Sequence, residues 1–359
     1  MTLFSRYLIR YFFTGFAAAA GLLLPLFSTF NLINELDDVS PGGYHWTQAV
    51  LVVLMTLPRC LIDLGPFIAL LGGIVGLGLL SKSSELTAIR STGFSIFRIA
   101  MVALCAGVMW AVSLGVIDEW VASPLQQRAL QIRNVAMAAE NGIDITGNVL
   151  WARRDNTFMT VKSLNEQGQP VGVEIFHYRD DLSLEFYIYA RKATIVKGDK
   201  WVLQDVCKKQ WNEGRETIES KASLPWSAFF THMSLDVLSL PGNTFSIRQL
   251  NHYIAYLQQT HQPSMEYRLA LWQKLGRPIL TLAMILLAIP FALVTPRSSG
   301  LGSRLAVGGI LGLLLYISYQ IMVNLGLLFA LNAPLTALAL PTGCVIAALL
   351  LVRRYDRVR

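Results

Sequence analysis

The sequence has 359 residues, 53% of them hydrophobic and 15% charged, with a mean hydropathy of +0.47. A soluble domain carries about 25% charged residues, so this composition excludes an ordinary soluble fold and marks an integral membrane protein with charge to spare for one water-exposed domain. The net charge of +7 reads as the basic surplus of cytoplasmic loops, not as nucleic-acid binding.

Arg6 and Arg10 precede the first apolar run, and no A-x-A-like cleavage site clearly follows it. A retained helix is therefore expected, not a signal peptide. Crossing a bilayer takes about 20 apolar residues. Six stretches qualify: 11–33, 48–80, 96–117, 275–295, 305–330 and 335–352. The second is over-long and contains Pro58 and Pro66, which suits a tilted or kinked helix.

Orientation follows from the distribution of Lys and Arg. With the N-terminus inside, the cytoplasmic pieces carry Arg6 and Arg10, then Lys82, Arg90 and Arg98, then Arg297 and Arg304, and finally Arg353, Arg354, Arg357 and Arg359. The outer loop near 34–46 carries Glu35, Asp37 and Asp38 with no Lys or Arg. Both termini are expected in the cytoplasm and residues 118–274 outside it. The segment between the second and third runs has Leu86, Ile89 and Phe94 at near-helical spacing, with Glu85, Arg90 and Arg98 among them. That pattern fits a short amphipathic helix, either resting on lipid or docking into a groove on a cytoplasmic partner.

From about 148 to 222 the pattern changes. The stretches LWARRDNTFMTVKSL, VGVEIFHY, LSLEFYIYARKATIV and KWVLQDVCKKQW alternate Val, Ile, Tyr, Phe and Trp with polar residues, between turn signals such as NEQGQP and KGDK. Seven or so short strands point to a sandwich or jelly roll. Their apolar positions, Ile175, Phe176, Leu184, Phe186, Ile188 and Val202, would line either a core or a groove. Next, SIRQLNHYIAYLQQ places Ile247, Leu250, Ile254 and Leu257 on one helical face. The fold class is thus an α-helical membrane protein of six spans, with an all-β, jelly-roll-like domain between the third and fourth. The divisions are 1–122 (three spans, with the inner amphipathic helix at about 82–95), 123–262 (the β domain with a flanking helix) and 263–359 (three spans).

Several chemistries lack a signature. The chain holds no phosphate loop of the G-x-x-x-x-G-K-[ST] kind, no HExxH and no G-x-S-x-G. Cys60, Cys105, Cys207 and Cys344 make no CxxC and no disulfide framework. No catalytic residue, metal site or cofactor is expected. A few basic residues depart from the positive-inside pattern: Arg59, Arg128, Arg133, Arg268, Lys274 and Arg277 lie at outer span ends. Charge-assisted hydrogen bonds to headgroup phosphates would suit them, and simple snorkelling would too. Asp63 stands four residues after Arg59, where a helix would pair them.

The stretches ELDDVSPGGY (35–44), PFIALLGGIVGLGLLSKSSELTAIRSTGFS (66–95), DEWVASP (118–124) and EYRLALWQKLGRPI (266–279) together resemble the lipopolysaccharide export permease family, LptF/LptG or YjgP/YjgQ. The first two are more similar to its LptG branch than to its LptF branch. The resemblance implies that 84–95 is a coupling helix seated in a dimeric LptB-like ATPase, with Glu85, Leu86, Ile89, Arg90 and Phe94 at the contact. It implies an LptF-like second permease subunit, an LptC-like membrane-anchored bridge protein, and a β domain that hands lipopolysaccharide onward from the inner membrane. ATP and Mg would be bound by the partner ATPase and not by this chain. Arg59, Arg133 and Lys274 match basic positions of the family, and Leu26, Phe27, Phe30, Leu314 and Tyr316 of the first and fifth spans would wall the lipid cavity. Where relatives carry lysines at the outer end of the first span, this chain has Asn31, Asp37 and Asp38. The competing readings are an LptF-like paralogue, a gradient-driven lipid transporter and a non-transporting scaffold that displays a β domain.

Overall fold

The protein was analysed as a computed structural model, which describes residues 3–40, 43–82, 85, 95–140, 150–154, 156–164, 169–179, 181, 183–196, 200–212, 215–227, 241–260, 262–294 and 301–357. Helix α1 spans Leu3–Asp37 and α2 spans Trp46–Lys82. Helix α3 (Ile96–Ile117) passes through a π-helical turn, Asp118–Ala122, directly into α4 (Ser123–Glu140). Six strands follow: β1 (Leu150–Arg154), β2 (Thr157–Leu164), β3 (Pro170–Tyr178), β4 (Leu184–Val196), β5 (Lys200–Asn212) and β6 (Arg215–Ser227). The chain returns through a 3₁₀ turn, Gly242–Thr244, to α5 (Ile247–Gln259), α6 (Met265–Val294), α7 (Leu301–Leu328) and α8 (Ala333–Arg357). Six of the described helices are long and apolar enough to cross a membrane, with the antiparallel sheet between the third and fourth.

The helices follow from their apolar content, and their ends from specific caps. Ser95 opens α3 by accepting from the Arg98 backbone N–H. Ser246 and Gln249 open α5 with a reciprocal capping box. The helical core is built on α1, α2, α3 and α6, with Phe12, Phe16, Ile68, Leu70, Ile74, Ile99 and Ile285 fully enclosed. At the α1–α2 crossing the two backbones touch. A Cβ on Gly76 would fall 2.6 Å from the Tyr11 carbonyl oxygen, and one on Gly15 would collide with the Gly72 carbonyl. Only glycine permits so close an approach, as in other tightly packed membrane helices.

The sheet is an antiparallel meander in chain order, β1 to β6. Register separates its two faces. Met159, Ile175 and Ile188 stand side by side across β2, β3 and β4 and enter the sheet's apolar core. Their neighbours Phe158, Phe176 and Tyr187 form a half-buried aromatic row on the opposite face. Of the alternating residues singled out above, Ile175 and Ile188 are therefore core, whereas Phe176, Leu184, Phe186 and Val202 are only half-buried. Six strands form among the described residues, and β4, β5 and β6, of 13 residues each, are longer than the turn signals implied. Asp205, at φ 53°, is left out of the β5 pairings on both sides, while the register is the same before and after it. Strand β6 runs on to Ser227 through Pro225, which a strand at the edge of the described sheet tolerates because no ladder hydrogen bond is lost outward.

Helix α5 joins the two parts. Its Leu250 and Ile254 pack with Phe245 and Ala270 beside the start of α6. Its Tyr253 rests against the sheet core, and burial raises the Tyr253 phenol above its ordinary pKa.

Candidate functional site

Helices α2 and α6 and the π turn after α3 bring five charged side chains together. Pro58 and Pro66 lie inside α2 around Arg59, and Pro278 lies inside α6 next to Arg277. Each proline removes one backbone donor and frees a carbonyl, so this is where the two helices are least regular. Asp118 opens the π turn, a feature often found at functional sites.

Asp118 is the centre of the cluster. Its Oδ1 accepts from Arg59 Nη1 at 3.1 Å and its Oδ2 from Lys274 Nζ at 2.5 Å. The side chains are 7% (Arg59), 2% (Lys274) and 9% (Asp118) exposed, so both pairs are withdrawn from solvent. The anticipated Arg59–Asp63 pair is present at 3.4 Å, and Asp63 also meets Arg277 Nη2 at 2.8 Å. Three cations against two carboxylates leave one positive charge, and its most accessible carrier is Arg277.

A second group lies nearer the exit of α1. Arg133 on α4 pairs with Glu35 at 3.2 Å and, more closely, with Asp38. Tyr44 is fully buried and donates to Glu35 at 3.1 Å. An arginine from another helix thus offsets part of the acidic charge at this end of α1. Arg128 and Arg268 are exposed and make no ion pair among the described residues.

Against the cluster lies a cavity of about 530 Å³ between α1, α2, α6 and α7. Phe27, Phe67 and Leu313 give it an apolar wall, while Asn31, Glu35, Arg59 and Asp63 give it a polar end. Among the wall residues anticipated from sequence, Phe27 and Tyr316 face this cavity. Leu26, Phe30 and Leu314 do not line it, and they are exposed on the outer surfaces of α1 and α7. A long apolar body with one polar end matches this division of surfaces.

At the far end of α2, Glu85 accepts a hydrogen bond from the Tyr7 hydroxyl at 2.7 Å, and the Tyr11 hydroxyl lies 3.1 Å from that of Tyr7. Leu86, Ile89, Arg90 and Phe94 lie outside the described residues.

Sequence reasoning missed Asp118 as the shared partner of Arg59 and Lys274. A carboxylate at the end of an apolar run looks like a loop residue, and only the continuation of α3 through the π turn into α4 keeps it buried. It also missed Glu119, which accepts from the Ile247 backbone N–H at 2.8 Å and faces Arg248, tying the start of α5 to the same turn.

The family profile described as "Lipopolysaccharide export system permease LptF/LptG" matches residues 6–354. The lipopolysaccharide export system permease protein LptG of Escherichia coli K12 is 27% identical over 353 residues, covering 97% of this chain and 98% of that protein. LptG of Haemophilus influenzae is 27% identical over 334 residues, covering 93% of each. With six long apolar helices, an inserted antiparallel sheet and a profile match over nearly its whole length, the chain belongs to the LptF/LptG family of lipopolysaccharide export permeases.

Proposed function

We propose that this chain is an LptG-like permease subunit in a bacterial inner membrane, which draws lipopolysaccharide sideways out of the outer leaflet and passes it to its β domain. The observation that carries this reading is the cavity with an apolar wall at Phe27, Phe67 and Leu313 and a charged end at Arg59 and Asp63. A lipid with several long chains resists extraction strongly, since each CH2 moved from bilayer to water costs about 0.8 kcal/mol. A protein can move such a molecule only by keeping its chains covered throughout. The wide exposed apolar faces of α1 and α7, including Leu26, Phe30, Leu314 and Ile317, suit a second, LptF-like subunit that completes the enclosure.

In this reading energy comes from a dimeric LptB-like ATPase that holds ATP and Mg and presses on the segment around Glu85. Movement there tilts α1 and α2, shrinks the cavity and expels lipid toward the sheet and an LptC-like bridge. The periplasmic side is assigned from the scarcity of Lys and Arg near 34–46 and their abundance in the inner loops and tail.

The test is co-purification followed by reconstitution. Mild detergent should yield the chain with a second six-span subunit, two ATPase copies and bound lipopolysaccharide. Glu85→Ala should then keep ATP hydrolysis and membrane insertion but lose lipid release. Release at the normal rate by Glu85→Ala would remove the coupling role.

One observation favours a second reading. The buried cluster of Arg59, Asp63, Asp118, Lys274 and Arg277 is a set of ionisable groups inside spans, as an ion-driven transporter would have. Sustained lipid release by the chain alone, driven by an ion gradient without nucleotide, would select that reading.

A further inference from the structure

A second cavity, of about 330 Å³, lies on the other side of the charged cluster, between α6 and α7 and beneath the Gly242–Thr244 turn. It shares Arg59, Asp63 and Tyr316 with the first cavity, so the two meet at the cluster. The two helices give it matched faces. Gln273 and Arg277 on α6 stand one turn apart, opposite Tyr319, Gln320 and Asn324 on α7. Four positions in this lane carry amide side chains, Asn243 among them. Amides between membrane helices serve either to bond across the helices or to meet a polar ligand, and these four make no side-chain hydrogen bond among the described residues.

The deep end of the lane has donors without protein acceptors. Tyr319 is 6% exposed, and its hydroxyl has no hydrogen-bond partner among the described residues. The same holds for Arg277 Nη1, while Nη2 of that guanidinium is held by Asp63 at 2.8 Å. Arg277 thus keeps one arm in an ion pair with Asp63 and has a second, buried arm without a protein acceptor. A fixed fork of donors beside a phenol hydroxyl is the chemistry that recognises a phosphate oxygen pair. The carboxylate at the rim, Glu266, does not cancel it. Glu266 precedes Arg277 by 11 residues, about 16 Å along the helix, which exceeds a Debye length in physiological salt.

We infer that the α6–α7 lane is a second binding station for a phosphate-bearing group, its phosphate on Arg277 and Tyr319 and the polar remainder along Gln273, Gln320 and Asn324. The inference rests on the permease reading for its role, since the station stands between the α1-side cavity and the turn through which the chain returns from the β domain. Lipid leaving the first cavity would meet it next. Its binding chemistry stands independently of transport.

The test is direct binding to the full-length chain in nanodiscs of phosphatidylcholine, with and without phosphatidic acid, whose headgroup is a bare phosphate monoester. Native mass spectrometry counts the phosphatidic acid retained. Wild type should retain it in preference to phosphatidylcholine. Arg277→Gln should weaken retention about tenfold, the scale of a charge-assisted pair. Tyr319→Phe removes one oxygen without changing shape, so it guards against misfolding, and it should weaken retention about threefold. If millimolar inorganic phosphate displaces the lipid, the station reads phosphate itself; if it does not, the station reads the lipid headgroup, and either result upholds the inference. Equal retention of the two lipids, or retention unmoved by both substitutions, overturns it. Co-purification of lipopolysaccharide with both variants at wild-type levels, beside lost phosphatidic acid retention, would leave the permease reading intact. Loss of lipopolysaccharide from wild type itself would strike the permease reading alone.

Discussion

Lys274 of α6 donates to Asp118 at the end of α3 across 156 residues of sequence, and the same carboxylate receives Arg59 of α2. Three helices are therefore fastened at one buried point beside the π turn. Taking charges out of water is costly, and removing the shared partner strands Lys274 and leaves Arg59 with Asp63 alone.

Asp118→Asn should accordingly lower stability by about 3–5 kcal/mol, the range for breaking a buried pair. Thermal unfolding in detergent measures the loss. A cycle with Lys274→Met should show coupling above about 1 kcal/mol, because contacting charges are not additive. Strict additivity would mean that the two residues do not meet.

Glu119 should matter to the neighbouring domain rather than to the spans. Glu119→Ala removes the acceptor of the Ile247 N–H and the partner of Arg248. Hydrogen exchange at the start of α5 should speed up, with the apolar core of α1 and α2 unchanged. Protection of Ile247 at the wild-type level would show that this tie is dispensable.

Much of this arrangement was legible in the sequence, for identifiable reasons. The six spans announce themselves because each is a long apolar run, and α3 covers the residues that hydropathy alone assigned to it. The Arg59–Asp63 pair is local, four residues apart on one helix, and so could be foreseen. Asp118 could not, since its partners come from two other helices and nothing in its own neighbourhood reports them. Arg133 shows the same limit. The replacement of lysines by Asn31, Asp37 and Asp38 looked like a loss of basic charge, yet Asp38 is paired with an arginine 95 residues away. The sheet was visible as a β pattern, but not the 13-residue length of three of its strands, because their pairing runs on in one register and turn signals do not report register.

Orientation can be checked by labelling. With the four native cysteines replaced, a cysteine at Arg191, exposed on β4, should react with a membrane-impermeant maleimide added to spheroplasts. One at Arg354, exposed near the end of α8, should react only after the membrane is broken. The reverse pattern would place the sheet in the cytoplasm and end the proposed hand-off.

The hydrogen bond from Tyr7 to Glu85 predicts a graded effect on coupling. Tyr7→Phe leaves the carboxylate in place but frees it from α1. ATP-dependent lipid release should fall several-fold while hydrolysis persists, a milder version of the Glu85→Ala defect. Unchanged release would confine the role of Glu85 to its contact with the ATPase.

Substitution at the glycine seam should be sharply position-dependent. Gly76→Val forces a side chain against the Tyr11 carbonyl and should cost about 1–3 kcal/mol, as overpacking does. Gly21 and Gly115 have open space at the Cβ position, and alanine there should be tolerated. Folded yield and thermal unfolding distinguish the two classes.

Because α1 and α2 touch backbone to backbone at Gly15, Gly72 and Gly76, little soft material lies between them to absorb a displacement. The 35 residues of α1 make a rod of about 52 Å. Rocked by about 5° about its Leu3 end, such a rod carries Phe27, about 36 Å away, through roughly 3 Å. A small displacement passed from Glu85 to Tyr7 would thus reach the cavity wall as most of a carbon–carbon contact distance.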